Sequence, residues 1–182
     1  MNPTTRRQLM VRGGVAAGAA ALPSAILATP AFGQESNETD AIERVLDLEQ
    51  AAELAYSLAA EELTGEVSDL LRQLGTHSGE HATALAEAVD QLGVEPETAS
   101  DDPATFESLK GFDQKADDKE QLEFFTALEE ELIAAYEETV GDLEAPDLAV
   151  TYAQVSAAHA QAWIALKLAA GERAPTAVEL PG

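Results

Sequence analysis

The stretch LEQAAELAY (Leu48–Tyr56) decides the fold, because it returns eighty residues later as LEEELIAAY (Leu128–Tyr136). In both copies a glutamate stands seven residues before a tyrosine: Glu49 before Tyr56, and Glu129 before Tyr136. Seven residues are about two helical turns, so each glutamate shares a helix face with its tyrosine. That face is otherwise apolar. Ile42, Val45, Leu46, Ala52, Ala60 and Leu63 extend it around the first copy, and Leu122, Phe125, Leu132 and Val140 around the second. The periodicity predicts helices over Glu38–Leu63 and Ala116–Leu143. Thr39 or Asp40 is expected to cap the first, and Thr64-Gly65 to close it.

A second helical pattern follows each copy. Val67, Leu70, Leu74, His81, Leu85 and Ala88 align over Glu66–Leu92, which Gly93 stops. Leu148, Tyr152, Val155, His159, Trp163 and Leu166 align over Pro146–Ala170, which Gly171 stops. Pro146 suits a first-turn position, where its missing N–H is not needed. His81 precedes Gly93 by twelve residues, and His159 precedes Gly171 by twelve. Tyrosine to histidine is 25 residues in the first half and 23 in the second. Four landmarks recur in order, which reads as an internal duplication. The short connections make each half an antiparallel hairpin. The Pro-, Asp- and Ser-rich segment 94–115 is long for a connector and predicts one crossover along the bundle. The expected fold is an all-α four-helix bundle.

Glu49 and Glu129 therefore point at the core, as do His81 and His159. A buried carboxylate is costly unless it is paired, hydrogen-bonded or metal-bound. Two acids and two imidazoles, one from each helix, converge at mid-bundle in this arrangement. Such a donor set suits iron, manganese or zinc. Glu–His pairs that satisfy each other without metal remain the alternative. The stretch GTHSGEHATAL (Gly75–Leu85) adds His77, four residues before His81, the spacing of paired ligands on one helix. His77 reads as a solvent-edge residue. Gly75 and Gly79 weaken this helix, or admit a neighbouring helix to close range.

The first 33 residues are of another kind. Arg6-Arg7 precede a weakly apolar Ala/Gly-rich run, and Ala31–Gly33 offers small residues for cleavage before Gln34. This looks like a twin-arginine export signal, so residues 1–33 are expected to be removed and the chain to act outside the cytoplasm, in the cell envelope or secreted. The bundle then spans 34–171, and 172–182 forms a loose tail with two prolines. The mature chain would carry 34 acids against seven basic residues, a net charge of −27. That charge repels nucleic acid and anionic membranes, and no stretch of the mature chain is apolar enough to span a bilayer. The absence of cysteine excludes disulfides and iron–sulfur clusters. No strained nucleophile turn accompanies Ser78, and no glycine-rich phosphate loop is present.

LEQAAELAY and EHATALAEAVDQLG (Glu80–Gly93), within the duplicated pattern of Thr39–Gly171, resemble the ferritin-like superfamily, in particular its exported bacterial and archaeal members. The resemblance implies a four-helix bundle of two hairpins and one crossover. It makes Glu49 and Glu129 the terminal glutamates, His81 and His159 the site histidines, and Tyr56 and Tyr136 the flanking tyrosines. It also admits a homodimer. A working di-metal site of this kind uses Glu-x-x-His on the second and fourth helices, where the glutamates bridge the metals. Here those positions read Ser78-Gly79-Glu80-His81 and Ser156-Ala157-Ala158-His159. Two cations ~3.5–4 Å apart would lack the anions that offset their repulsion. The expectation is an exported bundle that binds at most a single metal at a remnant Glu/His site, with enzymatic activity left open. A metal-free structural or stress-related envelope protein, and a di-metal oxidase with substitute ligands, stay open beside it.

Overall fold

The computed structural model describes residues 35–114, 116–143 and 146–172. The export signal expected at 1–33, and the tail beyond Glu172, lie outside the described residues. The helices are α1 (Glu35–Glu62), α2 (Gly65–Gln91), α3 (Asp118–Val140) and α4 (Pro146–Ala169). No strand occurs among the described residues. None of these helices is long and apolar enough to cross a membrane.

Helix α1 begins at Glu35, so Thr39 and Asp40 lie inside it and cap nothing; Thr39 is buried there. Helix α3 begins two residues later than the periodicity predicts, because Asp117 caps it. Its carboxylate accepts from the backbone N–H of Lys119 and Glu120, both at 3.0 Å. Gly93 and Gly171 end α2 and α4 in the same way. Each has positive φ (+81° and +83°), where an L side chain would be strained. The N–H groups of Gly93 and Val94 close back on Asp90 and Val89, and those of Gly171 and Glu172 on Leu168 and Lys167. Both sets are Schellman caps. The duplication thus extends to the way each hairpin ends.

Helices α1 and α2 pack as one hairpin, α3 and α4 as the other, and α1 joins them by packing on α3. Cross-links between α1 and α3 run in opposite chain order. Thr139 reaches back to Ala41, Tyr136 to Glu49, and Tyr56 to Glu129. The long connection between α2 and α3 makes this antiparallel pairing reachable by returning the chain to the end of the bundle it left. It contains two 3₁₀ turns, Pro103–Thr105 and Glu107–Leu109, and inserts Phe106 and Leu109 into the core. Phe112 then packs at a tilt against Phe124 and Phe125, with ring centroids 5.3 and 6.1 Å away. The core proper runs through Ile42, Val45, Leu46, Leu71, Leu85, Leu132 and Leu166, all essentially without solvent contact. Each such side chain contributes about 1.5–3 kcal/mol on burial.

Candidate metal centre

The four side chains singled out by the repeat meet at mid-bundle, each from a different helix. Glu49 of α1 has no solvent exposure, and Glu129, His81 and His159 are buried with it. Close approach of α1 and α2 helps to bring them together. A Cβ placed on Gly75 would stand 3.1 Å from Cβ of Tyr56, so the glycine lets the two backbones approach.

One oxygen of Glu49 carries most of the connections. Its Oε1 accepts from the Tyr136 hydroxyl at 2.7 Å, and lies 3.0 Å from His81 Nδ1 and 2.9 Å from His159 Nε2. Its other oxygen, Oε2, is buried and has no hydrogen-bond partner. Glu129 is better shared. Its Oε1 accepts from Tyr56 at 2.5 Å, and its Oε2 lies 2.8 Å from His159 Nδ1. His159 therefore stands between the two acids, one ring nitrogen on each. A carboxylate can only accept, so an imidazolium that donates from both nitrogens fits this position.

The electrostatics agree. Burial alone would push the His159 pKa down, but Glu49 and Glu129 together lift it to about 10. Burial alone would push Glu49 up, yet the His159 charge, with hydrogen bonds from His159 and His81, holds its carboxyl well below the usual range. Burial raises the phenol pKa of Tyr56, and the Glu129 carboxylate raises it further; burial and Glu49 do the same for Tyr136. Both tyrosines stay protonated and serve as donors.

Donor atoms of Glu49, His81 and His159 lie within 4.8 Å of one another. Glu129 is outside that triad and reaches it through His159 Nδ1. The tyrosines are crossed between hairpins: each donates to the glutamate of the other half. A tyrosine two turns from its own glutamate is ~10 Å away along the axis, too far to bond it. Ser78 and Ser156 are both buried at the places where bridging glutamates would stand. Glu80 and Glu53 are exposed, so neither replaces a bridge. Glu53 instead lies over Gly79, where a Cβ would come within 2.6 Å of its Oε1.

The donor set fits a metal ion. Nitrogen and oxygen ligands are gathered in a buried site, and Oε2 of Glu49 is a buried acceptor with nothing to accept from. The family model described as a ferritin-like domain matches residues 31–172, so the chain belongs to that family. No curated protein and no solved structure matches it.

Proposed function

Proceeding from membership of the ferritin-like domain family, we propose that this chain is an exported protein that holds a single divalent cation through Glu49, His81 and His159. The unpartnered Oε2 of Glu49 carries this reading. A buried acceptor left unmade costs about 1–3 kcal/mol, more when it is charged, and a cation beside it removes that cost. Iron, manganese and zinc all suit the mixed oxygen and imidazole donors. A bound cation would supply Lewis-acid charge and, for iron or manganese, a redox couple.

The chain's own groups prepare the site. Tyr136 and the two imidazoles orient Glu49. Glu129 orients His159 through Nδ1 and is itself fixed by Tyr56. Serine at positions 78 and 156 supplies no anionic bridge, which favours one cation over two and storage or binding over oxidase chemistry. Arg6-Arg7 and the small residues before Gln34 support export by the twin-arginine route, which carries folded proteins.

A second reading has its own observation. The Tyr–Glu–His–Glu–Tyr chain of hydrogen bonds is closed without metal except at Oε2, as a structural bundle would require.

Metal analysis of the folded protein from its own host separates the two. One cation per chain is expected, and zinc returned to the stripped protein should raise its melting temperature. His81→Ala should abolish that rise, and His159→Ala should reduce it. A protein that emerges metal-free and melts at one temperature with or without zinc would establish the structural reading instead.

A further inference from the structure

All three histidines of the chain line one cleft of about 60 Å³ between α2 and α4. His77 and His81 come from α2, His159 comes from α4, and Glu129 also borders the space. Leu74 lines it from α2 and the small Ala162 from α4. Helix α2 thus has two working faces. Gly75 and Gly79 face α1, where an added Cβ would meet Tyr56 and Glu53, while Leu74, His77 and His81 face the cleft. His77 is half-buried there, at the solvent edge of the cleft.

The ring of His81 is oriented for a ligand on this side. Its Nδ1 lies 3.0 Å from Oε1 of Glu49, so this nitrogen is committed to the buried acid. Among the described residues, no hydrogen bond reaches its other nitrogen, Nε2. An imidazole oriented by a carboxylate on one nitrogen and free on the other is the arrangement found in metal-bound histidines. His77 stands one turn away, with Cβ atoms about 5–6 Å apart at this spacing.

We propose that His77 and Nε2 of His81 form a second cation site at the mouth of this cleft. Its ligand is a divalent ion that prefers imidazole, such as copper(II), zinc or nickel, with water completing the coordination. The two sites differ in the His81 nitrogen they use: Nε2 at the mouth, Nδ1 in the buried centre. One ring serving both would have to give up its last N–H proton, so the sites exclude each other. A cation at the mouth leaves the bonds among Glu49, His159 and Glu129 in place.

Copper(II) titration of the full-length chain in strong salt, read by electron paramagnetic resonance, tests this. The comparison is made in a His159→Gln background, which disables the buried centre while keeping an amide donor; circular dichroism checks the helices. The His159→Gln chain is expected to bind copper with coupling to two nitrogens. Adding His77→Ala should weaken binding about tenfold or more and remove one nitrogen. Equal binding by the single and double variants overturns the site, as does copper held without nitrogen coupling, which marks loose surface carboxylates. Nitrogen-bound copper on the wild type that vanishes with His159→Gln assigns the ion to the buried centre alone, and so overturns this site while sparing the proposed function. Nitrogen-bound copper that survives His159→Gln but falls with His77→Ala supports the cleft site, whatever the fate of the buried one.

Discussion

His159 joins the two halves of the duplicated chain, with one ring nitrogen on Glu49 and the other on Glu129. Its position on a core stripe was readable in the sequence. That Glu49 and Glu129 would converge with it was readable too, but not that one ring would take both acids, because a repeat fixes where a side chain leaves its helix and not how the facing groups share their bonds. The same limit applies to the crossed tyrosines. The pairing has a pH signature in metal-free protein. Burial lowers the His159 pKa, but Glu49 and Glu129 raise it from 6.5 to about 10, so the stabilisation is fully present below pH 6.5 and is lost as pH climbs towards 10. Glu49 has the opposite sign. Its folded pKa is depressed from 4.5, so its contribution is present above that value and fades as pH falls below it. The melting temperature of wild type should therefore exceed that of His159→Gln most between about pH 4.5 and 6.5 and converge on it by about pH 10. A difference that stays constant from pH 6 to 10 would mean that His159 is held neutral between the acids, a donor to only one of them.

At the level of elements, the apolar stripes and stop glycines marked α1 to α4 to within a few residues. The start of α1 did not follow from Thr39 and Asp40, since the helix is already formed at Glu35 and both residues lie inside it. The crossover hid its content for another reason. Phe106, the extended residue between two 3₁₀ turns, and Leu109, the end of the second, insert from a segment too short to show a period, so they were invisible as core residues. The two glycines of α2 were legible as an anomaly, and the structure separates their roles. At Gly75 a new Cβ would stand 3.1 Å from Cβ of Tyr56, a residue pinned by its bond to Glu129 and by stacking on Phe125 at 4.4 Å. At Gly79 it would meet only the end of the exposed Glu53 side chain, which can swing into water. Gly75→Ala should therefore cost about 1–3 kcal/mol through overpacking. Gly79→Ala should gain up to about 1 kcal/mol of helix propensity. Urea midpoints at matched slope measure both. A gain at both positions would mean that α1 and α2 do not approach closely at Gly75, and a loss at both that Glu53 is not free to move away from Gly79.

The whole molecule carries 34 acidic residues against 10 basic ones. Arg44, Arg72, Lys110, Lys119 and Lys167 are already paired, with Glu138, Asp69, Glu107, Glu123 and Glu172 respectively. Four of these cations are half or more exposed, and such pairs contribute about 0.2–1 kcal/mol each. The remaining carboxylates repel one another across a bundle that must stay compact. Raising salt from about 0.01 to 1 M shortens the screening length from about 30 to 3 Å. It weakens a few surface pairs, but it also weakens a far larger number of repulsions, so the second effect wins. The melting temperature should rise continuously with sodium chloride, and potassium chloride at equal ionic strength should give the same gain. A fall would show that the surface pairs outweigh the repulsion, and a gain specific to one monovalent cation would mean site binding instead of screening. The buried cluster lies outside this effect, since salt screens buried charges far less than exposed ones. A rise produced by micromolar zinc in a solution already rich in salt would therefore report binding at the histidines and not the acidic surface, and its loss in His159→Gln would place it at the Glu49–His81–His159 centre.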